Sequence, residues 1–206
     1  MGWNNMKKTI ALVIALITSI MLLAGCAAGA PAQTQRQDDI VTISFDYEKQ
    51  QGYASNQFAV WIENENGELV KTLFVTKFAA NGGFEKRPDA IPTWVSRSGA
   101  AQKGKADGVS GATPKSGSLS FVWDLTDETG ARVPNGTYTF YLEGTLRWKN
   151  RVLFAGEITI GSEAAMADAV AEYTYAESDE QAALTQEAPE NAMIQHVTAQ
   201  YIPKQS

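Results

Sequence analysis

The chain has 206 residues, yet only one cysteine and one histidine. A single thiol closes no intrachain disulfide, and the two residues together fall short of the ligands that a zinc finger or ribbon needs. Basic side chains are in the minority, 17 Lys+Arg against 23 Asp+Glu, for a net charge of -6 and a pI near 4.9. A nucleic-acid binder needs a basic face to displace phosphate counterions, so that class is excluded. Charged residues make up 19 % and hydrophobic residues 44 %, which argues against wholesale disorder. The length suits one all-β domain, or at most two small ones. Sustained helical periodicity is missing after the N-terminal segment.

The N-terminus reads as an address. Lys7 and Lys8 precede an apolar run from Ile10 to Leu23, which is short of the ~20 residues of a membrane-spanning helix. A basic n-region, a short apolar h-region and small residues at the cut make residues 1–25 a signal peptide. Leu23-Ala24-Gly25-Cys26 resembles the lipobox of bacterial lipoproteins, which implies that the Cys26 thiol carries lipid and becomes the mature N-terminus. Losing both n-region lysines leaves 15 basic against 23 acidic residues, a mature charge of -8. Residues 26–38, small, polar and unpatterned, read as a flexible tether. The expected location is therefore extracytoplasmic, with a lipid anchor in the membrane at the periplasmic face or cell surface.

Beyond the tether the apolar period is two. Val41, Ile43 and Phe45 alternate with polar residues, as do Phe58, Val60 and Ile62 with Ala59 and Trp61. Further runs follow at Leu119 to Trp123, Tyr138 to Leu142 and Val152 to Ile160. Asn66-Gly67 predicts a two-residue hairpin turn, and Asp127-Glu128-Thr129-Gly130 and Pro134-Asn135-Gly136 predict further turns. The fold class is thus all-β: an immunoglobulin-like antiparallel β-sandwich over residues 39–161. Two stretches interrupt it. Residues 77–117 read as one long loop, and loops of this length in compact domains are usually functional or disordered. Residues 162–191 hold eight acidic side chains and no basic one, and read as an acidic, partly helical excursion with a helix over Ala164 to Tyr175. Residues 192–206 supply a final strand and tail.

Within the long loop stands Asp107-Gly108-Val109-Ser110-Gly111-Ala112-Thr113, a small-residue segment that exposes one hydroxyl. Lys103, Lys105 and Lys115 nearby favour an anionic group such as phosphate. An isolated threonine is a poor nucleophile, so a modifying enzyme would have to activate it. The segment resembles the flavinylation motif of FMN-binding subunits in respiratory sodium pumps and related electron-transfer complexes. The resemblance implies covalent FMN on Thr113, attached as a phosphoester by an exported FAD:protein FMN transferase. Asp107, Ser110, Gly111 and Ala112 would be the recognition context. It further implies an electron carrier served by a membrane flavin or haem redox protein, not an enzyme. The match covers seven residues, and Pro114 departs from the pattern.

A second resemblance covers most of the mature chain. Phe58 to Glu63, Trp123 to Gly130 and Val133 to Phe140 are similar to a family of predicted periplasmic proteins of unknown function, with turn signatures shared by Ig-like surface domains. The competing reading is a cofactor-free Ig-like surface lipoprotein that acts as a binding or structural module. Three further candidates weigh less. Asp124, Asp127 and Glu128 can offer oxygens to calcium, though a solvated turn explains them as well. Trp94 and Trp148 can stack on a flavin ring or pack in the core. His196 has no evident Ser or Asp partner in sequence, so no catalytic triad is expected.

Overall fold

The computed structural model describes residues 39–49, 54–103, 109–147, 150–174 and 193–204. The expected signal peptide and tether, Cys26, Lys105, Asp107, Trp148 and residues 175–191 lie outside them. The described residues form the expected antiparallel sandwich of two sheets. One sheet has four strands, in the order β5 (Gly117–Trp123), β1 (Ile40–Tyr47), β10 (Ile194–Ile202), β8 (Ala165–Asp168). The other has six, in the order β4 (Ser110–Gly111), β3 (Leu69–Thr76), β2 (Ala54–Glu63), β6 (Gly136–Arg147), β7 (Asn150–Ile160), β9 (Val170–Thr174). All pairs are antiparallel except β3 with β4.

Period-two patterning turns one face of each strand inward. Val41, Ile43, Phe45 and Tyr47 meet Phe58, Val60, Ile62, Phe140, Leu142, Val152 and Ile158 in the main core. Each such side chain stabilises the fold by roughly 1.5–3 kcal/mol relative to an exposed one. Buried Trp123 donates Nε1–H to the Thr126 carbonyl at 2.8 Å, and the Tyr138 hydroxyl donates to the Pro134 carbonyl at 2.8 Å. The second bond runs four residues upstream, like the tyrosine corner of immunoglobulin domains.

Residues 77–117 are more than a loop. They hold α1 (Lys77–Ala80), a 3-10 turn (Gly83–Glu85), α2 (Pro92–Ser98) and α3 (Ala100–Lys103), followed by β4. Ala79, Ala80, Phe84, Ile91, Trp94 and Ala100 pack on Ala59, Trp61 and Val75, making a second core on the outer face of the six-stranded sheet. The helices are too short to carry a helical period, which is why the sequence pattern does not reveal them.

The helix expected over Ala164 to Tyr175 is not present: Ala165–Asp168 and Val170–Thr174 are strands. The first pairs with β10 and the second with β7, and the Ala169 N–H bonds the Val197 carbonyl at 2.9 Å where the chain steps between sheets. Ladder pairing outweighs the helix propensity of the alanines. The sandwich thus runs past residue 161, and the final strand expected at the C-terminus is β10, between β1 and β8. The turn at Asn66-Gly67 also differs. The Asn64 N–H bonds the Glu68 carbonyl at 3.0 Å, so Glu65, Asn66 and Gly67 form a three-residue loop with Gly67 at φ 74°. The Asn64 side chain, accepting from the Asn66 and Glu68 N–H groups, organises it.

Candidate cofactor-attachment site

The strand order sets the place of the motif. β4 ends the six-stranded sheet and β5 ends the four-stranded one, so residues 112–116 carry the chain across one open side of the sandwich. Val75 and Thr76 pair with Ser110 and Gly111, and the Val75 N–H bonds the Val109 carbonyl at 3.1 Å. At the other end of this strap, Ser116 Oγ accepts the Lys49 N–H at 3.0 Å. Thr113 and Pro114 are half-buried between these anchors, while Ser110, Ala112 and Lys115 are exposed. Among the described residues no hydrogen bond engages the Thr113 hydroxyl. Ser110 and Gly111 lie on β4, and Ala112 and Thr113 follow directly on the strap.

Phe74 underlies this segment. Its ring stacks on Phe58 with centroids 4.9 Å apart and meets Phe121 of β5 at 4.9 Å across the two sheets. Gly111 lies directly on it: a Cβ there would come within 2.6 Å of the ring. Phe74 was not a sequence candidate, because it reads as one more inward position of β3.

Register also fixes which end of the sandwich holds the strap. Tyr47 of β1 pairs with Gly117, whereas Val41 pairs with Trp123. Thr113 therefore lies toward the Tyr47 end and Asp39 at the opposite end, separated by the length of β1, roughly 25 Å at ~3.3 Å per residue.

Trp94, Asp124 and Asp127 have structural partners. Trp94 is 1 % exposed, donates Nε1–H to Thr72 Oγ1 at 3.1 Å, and packs in the second core, so it has no face to offer a ligand. Asp124 pairs with Lys71 Nζ at 2.9 Å, and Asp127 Oδ1 accepts from the Thr129 and Ala131 N–H groups and the Thr129 hydroxyl. The Thr129 hydroxyl is the main cause that lowers the Asp127 pKa. These carboxylates serve the turn, and the described residues hold no group of three or more His, Cys, Asp or Glu that could bind a metal.

His196 does have a partner. It sits at a bulge of β10 with φ 52°, and its Nδ1 lies 2.9 Å from Asp46 Oδ2. The Ser118 hydroxyl donates to Asp46 Oδ1 at 2.7 Å and, with His196, lowers the Asp46 pKa. The carboxylate stands between hydroxyl and imidazole, whereas a nucleophilic triad needs the imidazole in the middle. The contact joins residues far apart in sequence, so no local signal could have announced it.

Among the described residues, hollows open elsewhere. One, of about 290 Å3, is lined by Phe84, Pro88, Pro92, Val95, Ser96, Ala101 and Gln102; another lies between the Asn64 and Pro134 turns. Neither includes strap residues.

Together these features define an immunoglobulin-like β-sandwich with a helical insert and a partly exposed strap on one open side. The family described as predicted periplasmic protein, DUF2271, matches residues 39–176, well over half of the chain, and the chain belongs to it. That description places the protein outside the cytoplasm. No curated protein and no solved structure matches the chain.

Proposed function

We propose that the protein is a lipid-anchored, extracytoplasmic electron carrier with FMN held covalently by Thr113. The observation that carries this reading is the Asp107-to-Thr113 motif, whose last four residues lie on an anchored strap with Ala112 exposed and the Thr113 hydroxyl unengaged among the described residues. The residues fit attachment: a small-residue approach, a free hydroxyl and the exposed Lys115 two positions on, which favours a phosphate. They do not fit ring stacking on Trp94, which is buried.

Attachment needs FAD and the transferase. Thr113 Oγ1 attacks the FMN-side phosphorus, the Oγ1–P bond forms, the bridging P–O bond of the diphosphate breaks, and AMP leaves. The hydroxyl proton passes to a base of the transferase. The flavin, once attached, supplies the redox chemistry, and the protein supplies tethering and shielding. The partners are the transferase and a membrane flavin or haem redox protein. A lipid on Cys26 raises the local concentration of such a donor. The strap lies at the end of the sandwich remote from Asp39, so Thr113 stands opposite the N-terminal end of β1.

The test is intact mass and ultraviolet-excited in-gel fluorescence of the protein from a host that flavinylates other proteins, beside Thr113→Ala. A fluorescent band with one added FMN phosphoester, absent from the variant, is expected. An unmodified mass would sink the carrier reading and leave the cofactor-free surface module.

A further inference from the structure

We propose that Phe74 is a positioning residue for the acceptor Thr113, holding the strap at the height that a modifying enzyme meets. The inference rests on the reading of Thr113 as acceptor and goes beyond the motif, of which Phe74 is no part.

The φ of Gly111 lies outside the left-handed region, so backbone freedom does not demand glycine here. Space does. A Cβ at residue 111 would stand 2.6 Å from Phe74 Cε2 and 3.3 Å from Cζ. The ring is half-buried, and on its inward side it is backed by other rings. It is stacked on Phe58, which is fully buried and itself packed by Phe45 at 5.7 Å and Tyr47 at 5.4 Å, while Phe121 closes its other flank. A ring backed in this way passes part of a displacement on to the backbone. The glycine and the ring therefore act as a matched pair: one keeps the strap low, the other keeps it from sinking between the sheets.

Thr113 lies two residues beyond the contact. In-line attack on phosphorus tolerates little displacement, since an error of ~1 Å in a reacting group can cost about 100-fold in rate. Gly111 thus has a role in the acceptor domain itself, apart from any contact it makes with the transferase.

The experiment uses the full chain in a host containing the transferase, with Phe74→Ala, Phe74→Leu, Gly111→Ala, the Gly111→Ala/Phe74→Leu double variant, and Ile160→Ala. Ile160 is buried in the same core but pairs with Gly136, at the end away from the strap. Two quantities are read: the initial rate of fluorescent labelling, and amide exchange across residues 109–116 in protein from a host without the transferase. Phe74→Ala and Gly111→Ala are each expected to slow labelling about ten-fold and to speed strap exchange, while Ile160→Ala leaves both within about two-fold. The double variant is expected to label faster than Gly111→Ala alone, because the smaller side chain admits the new Cβ. Should Phe74→Ala fail to fold, Phe74→Leu carries the comparison in its place. Labelling at the wild-type rate in the Phe74 variants, an equal loss in Ile160→Ala, or strap exchange indifferent to residue 74 each overturns the proposal. A wild type that is never labelled removes the acceptor reading and the proposal with it. The exchange arm would still report separately whether Phe74 holds the strap.

Discussion

The Glu143 carboxylate accepts the backbone N–H of Trp94 at 2.8 Å through Oε2 and that of Thr93 at 3.1 Å through Oε1, so a residue of β6 caps the first turn of α2. Glu143 is fully buried, and Arg151 Nη1 stands 3.9 Å from it. Beside it, Thr145 Oγ1 accepts the Ile91 N–H and donates to the Asp89 carbonyl. A few polar positions on the outer face of one sheet thus fasten the helical insert that precedes the strap.

Burial raises the Glu143 pKa above the usual 4.5, against the lowering effect of the two N–H donors and Arg151. The folded state then holds the proton more tightly than the unfolded state. This contribution to stability is complete below the unfolded value and is lost as pH rises through the folded one. Glu143→Gln cannot titrate. The stability gap between wild type and this variant is expected to narrow as pH rises above 4.5, measured by urea midpoints at several pH values. A gap independent of pH would show that Glu143 stays ionised throughout.

Trp94 provides a second test, because structural and cofactor roles predict different outcomes. Trp94→Phe removes the bond to Thr72 at a cost of about 1 kcal/mol. Trp94→Ala leaves a cavity and is expected to cost about 3–5 kcal/mol, read by thermal or denaturant unfolding. If Thr113 carries flavin as proposed, the folded Phe variant should match wild type in its flavin absorption spectrum. A shifted spectrum in Trp94→Phe would mean that the indole touches the ring after all.

The sandwich was legible because alternation at residues such as Val41, Ile43 and Phe45 registers a two-sided surface directly. The covered outer face was hidden. Tyr141, Glu143 and Thr145 alternate with Phe140, Leu142 and Gly144 in the pattern of a solvent-facing row. The one local hint was on β2, where Ala59 and Trp61 occupy the same outer face, opposite Glu143 and Tyr141. Trp61 stacks on Tyr141 at 5.0 Å with the planes 11° apart, and its Nε1–H donates to Glu63, which is ion-paired with Arg97 of α2. At the candidate site, the motif from Ser110 to Thr113 was visible as residue types. Its support by Phe74 and its bridging of two sheets depend on strand order, which no short segment encodes. The false helix over Ala164 to Tyr175 has the same origin: composition suits a helix there, while the ladder partners are supplied by distant strands.

Ile91 offers a sharper check on the insert, since it is fully buried yet holds φ at 45°. A β-branched residue in the left-handed region carries strain of about 1–2 kcal/mol. Loss of its buried side chain costs about 2–5 kcal/mol, so both Ile91→Ala and Ile91→Gly are expected to be destabilised. Their order should be unusual. Glycine is ordinarily worse than alanine by roughly 0.5–1 kcal/mol, but here it relieves the backbone, so Ile91→Gly should be the more stable of the two in denaturant melts. The reverse order would mean that the turn relaxes once the side chain is gone.

A Cys26 variant tests the proposed anchor apart from the proposed site. If the lipobox resemblance identifies the lipidated residue, Cys26→Ser moves the protein from the membrane pellet to the soluble extracytoplasmic fraction. Loss of the acyl chains removes the apolar contribution of about 0.8 kcal/mol per buried CH2 that holds it there. Labelling of Thr113 in that variant should persist, because the strap is built from β3, β4 and β5 and its anchors are Val75, Phe74 and Lys49, none of them near Asp39 at the tethered end. Fractionation followed by in-gel fluorescence reads both outcomes together. Retention of the variant in the pellet would place the membrane attachment elsewhere in the chain. Loss of labelling with the anchor would mean that the transferase meets its acceptor only at the membrane surface.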